Sequence, residues 1–93
     1  MKTMFTLLPW GAIRAAADCM TTNEGSKDGK HADSPWRTES VDHHINCALR
    51  HFERFHGGEI LDPEDGASHL IKAGLRLLMA GEVHQRIAGT DPR

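Results

Sequence analysis

The sequence lacks the long apolar run that a membrane span needs. No stretch of 18 apolar residues occurs in its 93 positions, whereas a transmembrane helix takes about 20. Charge of one sign is lacking as well. The net charge is −2 with histidines neutral, so there is no basic field of the kind that holds duplex nucleic acid. A small anionic ligand stays open, because a few placed cations suffice for it. Cysteine is scarce: Cys19 and Cys47 lie in predicted helices among apolar residues. They make no disulfide framework and read as buried free thiols of a cytosolic protein. The opening MKTMFTLLPWGAIRAAADCM has the lysine, apolar and small residues of a signal peptide. Pro9, Gly11 and Arg14 interrupt the run before it forms a proper h-region. These absences leave the expectation of a soluble intracellular protein without a membrane span. A chain of this length makes one small domain, residues 1–93, that buries only about 60–65% of its unfolded surface. A homo-oligomer is the expected remedy.

What is present is helical periodicity. Residues 1–8 read as an extended lead-in. Pro9 suits the first turn of a helix, and Trp10, Ile13, Ala16, Ala17 and Met20 recur at helical spacing, which predicts a helix over 9–22. Arg14 and Asp18 form an i,i+4 pair on another face. Residues 23–36 have no periodicity and carry Asn23, Gly25, Gly29 and Pro35, which predicts a loop bearing Lys27, Lys30 and His31. This loop is either a solvated linker or a lid that brings cations over an anion, and Trp36 anchors its end. Ser40 or Thr38 caps a second helix, with Asp42 well placed in its first turn. Val41, Ile45, Ala48, Leu49, Phe52 and Phe55 are its expected apolar stripe, with His44 and His51 at the margin. Gly57–Gly58 ends it. Asp62-Pro63 starts a turn that Gly66 closes, and Ser68 or Asp65 caps a third helix. Its expected buried side is Leu70, Ile71, Gly74, Leu75, Leu77, Leu78 and Val83, while His69, Ala73, Arg76 and Ala80 share another face. Gly74 and Gly81 each cost about 1 kcal/mol relative to Ala, which suggests close approach of a neighbouring helix. The tail, GTDPR, reads as frayed. The fold class is therefore all-α: three main helices, with residues 41–83 as a C-terminal antiparallel helical hairpin at the core and oligomerisation completing the domain.

The chemistry collects in that hairpin. His51, Glu59, Asp62 and His69 converge if the end of one helix lies beside the start of the next. Carboxylates alone favour Mg²⁺, and added imidazole shifts preference towards Mn²⁺, Zn²⁺ or Fe²⁺. The spacing matches no standard zinc signature. The alternative is that the acids solvate a loop and cap a helix, with the histidines bonded to them. For an anion, the third helix offers free N–H groups at Ser68–His69, with Arg50 and Arg76 the better placed cations and Arg54 and Lys72 equally readable as surface charges. A Cys47 nucleophile paired with His44 or His51 is formally available, but an inert thiol fits its apolar surroundings better.

The order of motifs resembles the phage domain family of dATP/dGTP diphosphohydrolases, N-terminal type, which is similar to the all-α MazG-like pyrophosphohydrolases. The matching residues are Leu7-Leu8-Pro9 with the alanines from Ala12 to Ala17, Gly25-Ser26-Lys27, Pro35-Trp36, Ala48-Leu49-Arg50-His51-Phe52, Gly58-Glu59 through Asp62-Pro63 and Gly66 to His69-Leu70, and Leu75 to Glu82. Two departures stand out: Asp28 replaces the aromatic that follows the loop lysine, and the MazG-type ExxE…ExxD signature is missing. The resemblance implies a nucleotide ligand, a divalent metal (Mg²⁺ or Mn²⁺ first, Zn²⁺ next), a bacteriophage source and the cytoplasm of an infected bacterial host. Two functions follow as expectations. The first is a metal-dependent (d)NTP pyrophosphohydrolase: Glu59, Asp62 and His69 hold the metal, His51 and Glu59 act on water, and Arg50, Arg76, Lys27 and Trp36 bind the nucleotide. The second is a phage nucleotide-signal sponge that binds without cleaving.

Overall fold

The structure, a computed structural model, describes residues 1–23 and 35–88. Among them lie three α-helices and no strand: α1 Trp10–Asn23, α2 Val41–His56 and α3 His69–Ala88. No helix among the described residues is long and apolar enough to cross a membrane. The predicted loop contributes Pro35–Thr38, a 3-10 turn, while Lys27, Lys30, His31 and the tail fall outside the described residues. The lead-in is not wholly extended, because Phe5–Leu7 forms a further 3-10 turn to which the Trp10 indole N–H donates at the Phe5 carbonyl, 2.9 Å away.

The helix ends follow from local chemistry. Ser40 Oγ accepts from the His43 N–H at 3.1 Å, so one orphan donor of α2 is satisfied, and Asp42 sits in the first turn as the dipole favours. Gly57 closes α2 with its N–H on the Glu53 carbonyl at 2.9 Å. Between α2 and α3 the chain makes the expected Asp62–Gly66 turn, with the Gly66 N–H on the Asp62 carbonyl at 2.7 Å and φ +76° at Gly66. That dihedral lies in the left-handed region, where a Cβ costs about 1–2 kcal/mol. Ser68 Oγ then accepts from the Ile71 N–H at 3.3 Å as α3 begins.

Packing departs from the apolar-stripe expectation. The buried apolar residues are Cys19, Cys47, Ala48, Ala73, Met79, Ala80 and Val83, mostly small, and the largest fully buried side chains are His44 and His69. Ile45, Leu49 and Phe52 of α2 and Leu70, Leu77 and Leu78 of α3 are exposed instead. The physical reason is steric and polar together. Alanine and cysteine let the α2 and α3 backbones come close, and the imidazoles between them are held by hydrogen bonds across the seam. His51 of α2 meets His69 of α3, and His44, seven residues back, meets Arg76, seven residues on. The α1 helix packs on the flank of α3.

Two substitutions test these local devices. Ser40→Ala should lower unfolding free energy by about 1 kcal/mol, and Gly66→Ala by about 1–2 kcal/mol. Urea denaturation at one fixed protein concentration measures both.

Candidate functional site

The site is built on the α2–α3 seam and the loop that joins the helices. His44 is fully buried and both its nitrogens are engaged. Its Nε2–H donates to the Trp36 carbonyl at 2.8 Å, and its Nδ1 accepts from Arg76 Nη1 at 3.1 Å. Those partners select the neutral Nε2–H tautomer, because a carbonyl needs a donor and a guanidinium needs an acceptor. Arg76 reaches Glu39 at 4.0 Å, and Glu39 also pairs with His43. Trp36 carries the Arg37 guanidinium 4.5 Å above its ring centre, a cation–π contact.

Two turns towards the loop, His51 Nδ1 and His69 Nδ1 are 2.9 Å apart. His69 Nε2 lies 2.7 Å from Glu59 Oε1. With the Nε2–H of His69 donated to Glu59, its Nδ1 is a lone pair, and the contact with His51 needs one proton between the two nitrogens. Two nitrogen lone pairs brought this close share either a proton or a cation. Asp62 stands beside them. His51, Asp62 and His69 each offer one ligand atom, and these atoms lie within 4.8 Å of one another. Glu59 lies on the other nitrogen of the His69 ring, so it orients that imidazole.

Asp62 is itself held firmly. Its Oδ1 accepts from the Glu64 N–H at 2.9 Å, and its Oδ2 pairs with Lys72 Nζ at 2.8 Å. Lys72 also pairs with Asp65 at 2.7 Å, and all three side chains are nearly buried. The Lys72 hydrogen bond, then the Glu64 N–H, hold the Asp62 carboxyl below its ordinary value. Burial pulls the Lys72 ammonium down, but its two carboxylate partners outweigh that and raise it. Burial, then the neighbouring Lys72 and His69, lower the His51 imidazole despite the opposing charge of Asp62.

These groups open on a cavity of about 240 Å³ walled by His51, Asp62, Lys72, Arg76, Trp36 and Met79, among others. A groove of about 440 Å³ with Trp36, Leu75, Leu78 and Met79 on its walls adjoins it. The first volume is below the ~300–1,000 Å³ of a drug-sized pocket, so it suits the polar end of a ligand and the groove the rest.

Of the residues singled out from the sequence, His51, Asp62, Arg76 and Trp36 meet at this cavity, with His69 and Glu59 directly behind. Arg50 donates to Cys47 Sγ at 3.1 Å and, with Arg54, lines a second cavity of about 190 Å³ that His51, Asp62 and His69 also wall. Lys27 lies outside the described residues. Sequence reasoning set Lys72 aside as a surface charge. The signal for it was its place one turn before Arg76 on the same side of α3, with two acids in the loop just before. His44 was placed at a stripe margin, and only its seven-residue offset from His51 hinted at the buried seam.

A family model described as "dATP/dGTP diphosphohydrolase, N-terminal" matches residues 1–93. No curated protein and no solved structure matches the chain.

The His51 shift gives a pH signature. Above about 6.5 the imidazole is neutral folded or unfolded. Below it the unfolded chain takes the proton first, so stability falls as pH drops through the lowered folded value. Urea midpoints should decline from pH 7.5 to 5.5, and His51→Gln should show a shallower decline. Equal slopes in both proteins would mean that His51 is not the source.

Proposed function

The chain belongs to the dATP/dGTP diphosphohydrolase N-terminal family, and from that premise we propose that it binds a purine deoxynucleoside triphosphate in this cavity and hydrolyses it to the monophosphate and pyrophosphate with a divalent metal. The observation that carries the reading is the convergence of His51, Asp62 and His69 ligand atoms within 4.8 Å, beside a cavity whose wall carries His51, Asp62, Lys72 and Arg76.

The donor set fits a metal ion. Two imidazole nitrogens at 2.9 Å with one carboxylate nearby are a chelating arrangement, and Glu59 on the far nitrogen of His69 gives the carboxylate–histidine pattern that orients metal-ligating imidazoles. His51, His69 and Asp62 would hold the ion, which would supply positive charge against the phosphate oxygens. Two imidazoles favour Mn²⁺ or Zn²⁺ over Mg²⁺. Glu59, expected from the sequence as a ligand, is proposed here as the residue that positions His69. His51 cannot be ligand and general base through the same lone pair, and the donor grouping favours the ligand role. Both facing ring nitrogens would have to be free of protons to hold the ion, so its affinity would weaken as pH falls.

Lys72 and Arg76 act on the phosphates. They lie four residues apart on α3, hence one turn apart on one face. Arg76 is oriented by His44 and presents a planar fork suited to phosphate oxygens. Their charge is worth most where developing anionic charge is shielded from water. The adjoining groove, with Trp36 on its wall, takes the base and sugar. We read the α2–loop–α3 unit as the antiparallel hairpin that sets this geometry.

A second reading is binding without turnover, as in a phage protein that sequesters a nucleotide signal. One observation favours it: the triad's single carboxylate is already ion-paired with Lys72.

Incubation of the purified chain with dATP or dGTP and Mn²⁺ or Mg²⁺ separates the readings. Hydrolysis predicts pyrophosphate release, lowered by about 10²-fold in kcat/KM in Arg76→Ala and abolished in His51→Ala. Recovery of intact nucleotide with no pyrophosphate under any metal rejects turnover and leaves the binding role. Absence of any bound nucleotide rejects both.

A further inference from the structure

The face that α3 turns towards the cavity and the groove is graded along its length. Lys72, Leu75, Arg76, Met79, Glu82 and Arg86 recur at helical spacing and make one stripe. The end near the loop carries the two cations of the cavity wall. The middle is apolar: Leu75 and Met79 wall both the cavity and the groove, together with Trp36 and Met20. The far end carries Glu82 and Arg86 on the groove wall, joined by an ion pair of 3.0 Å. Lys72 and Glu82 are ten residues apart, which is about 15 Å of helix. That span is comparable to an extended nucleoside triphosphate.

Cations, then apolar walls, then a carboxylate with an arginine is also the order that a nucleotide asks for: phosphates, then the flat faces of the ring, then a polar base edge. With the phosphates at Lys72 and Arg76 and the base in the groove, Glu82 and Arg86 meet that edge. Glu82 is the carboxylate of the groove wall among the described residues. An ionised carboxylate only accepts, through two oxygens side by side. Guanine alone among the common bases sets two N–H donors side by side on its Watson–Crick edge, at N1 and at the 2-amino group, with the O6 carbonyl next to them. Two parallel hydrogen bonds to a carboxylate fit that edge, and the Arg86 guanidinium has a donor to give to O6. Adenine has a bare N1 beside its amino group. It engages one carboxylate oxygen and sets a lone pair against the other.

The existing ion pair does not stand in the way. The Glu82 and Arg86 side chains keep 33% and 41% of their surface exposed, and a surface pair of this i,i+4 kind is held weakly. The same exposure sets the size of the effect. Water competes for the carboxylate, so the discrimination falls well short of the ~10⁴-fold of a site with buried polar groups.

We propose that Glu82, with Arg86 beside it, is the specificity-determining residue of the groove and selects guanine over adenine nucleotides by accepting from N1–H and the 2-amino group. The assignment rests on the nucleotide reading above and names the base for it.

Equilibrium binding of dGTP, dITP and dATP to the full chain tests it, read as affinity ratios at one fixed Mn²⁺ concentration. dGTP should bind about tenfold tighter than dATP. dITP, which keeps N1–H and lacks the 2-amino group, should fall between them. Glu82→Gln should weaken dGTP about tenfold and leave dATP unchanged. Should that variant fail to fold, the wild-type series decides alone. Equal affinities for the three nucleotides, or a preference for dATP, overturn the assignment while nucleotide binding stands. A preference for dGTP that survives Glu82→Gln overturns the role of Glu82. Binding of none of the three overturns the assignment together with the reading it rests on.

Discussion

An imidazole can close a packed interface only when both its nitrogens find partners, because a buried polar atom left alone costs about 1–3 kcal/mol. That constraint governs this molecule. His44 and His69 are its largest fully buried side chains, and each nitrogen of each is engaged: Trp36 and Arg76 on one ring, His51 and Glu59 on the other. The partners come from the 3-10 turn before α2, from α2, from the connecting loop and from α3. The two rings therefore tie four segments to one seam and fix which faces of α2 and α3 meet. Small residues, Ala48, Ala73 and Ala80, give the clearance the rings need.

The same seam explains why chemistry and stability are hard to separate here. Lys72 pairs with both Asp62 and Asp65 in a nearly buried cluster, and removing the lysine from such a cluster leaves uncompensated charge at a cost of several kcal/mol. The cluster orders the loop, and the loop presents Asp62 to the two imidazoles. Arg76 orders His44 and walls the cavity at once. Lys72 and Arg76 are thus already oriented at the cavity wall, so an anion that bound there would meet a reduced ordering cost.

Helix positions were legible in the sequence because they depend on neighbours in the chain. Pro9, Ser40, the Gly57–Gly58 pair, the Asp62–Gly66 turn and Ser68 each act within a few residues, and each marks an element end as expected. Faces were less legible. The most apolar stripe was assigned to the interior, yet Ile45, Leu49, Phe52, Leu70, Leu77 and Leu78 lie outside, while the stripe of His69, Ala73, Arg76 and Ala80 lies within. Periodicity reports that a helix has an apolar side; it does not report whether that side is covered by the same chain. The convergence of His51, Asp62 and His69 was legible because the joining loop is short. Lys72 was not, because a lysine in the first turns of a helix looks solvated until the fold places two carboxylates against it. Glu59, expected among the ligands, stands against the far nitrogen of the His69 ring, a placement that no local spacing in the sequence signals.

The central claim is that His51, His69 and Asp62 together hold one divalent ion. X-ray absorption on the Zn²⁺- or Mn²⁺-loaded chain tests it most directly. The account predicts a coordination sphere containing two imidazole nitrogens and carboxylate oxygen, with one imidazole lost in His51→Ala. A sphere of oxygens alone, unchanged by that substitution, would contradict it and would place the ion on the loop carboxylates.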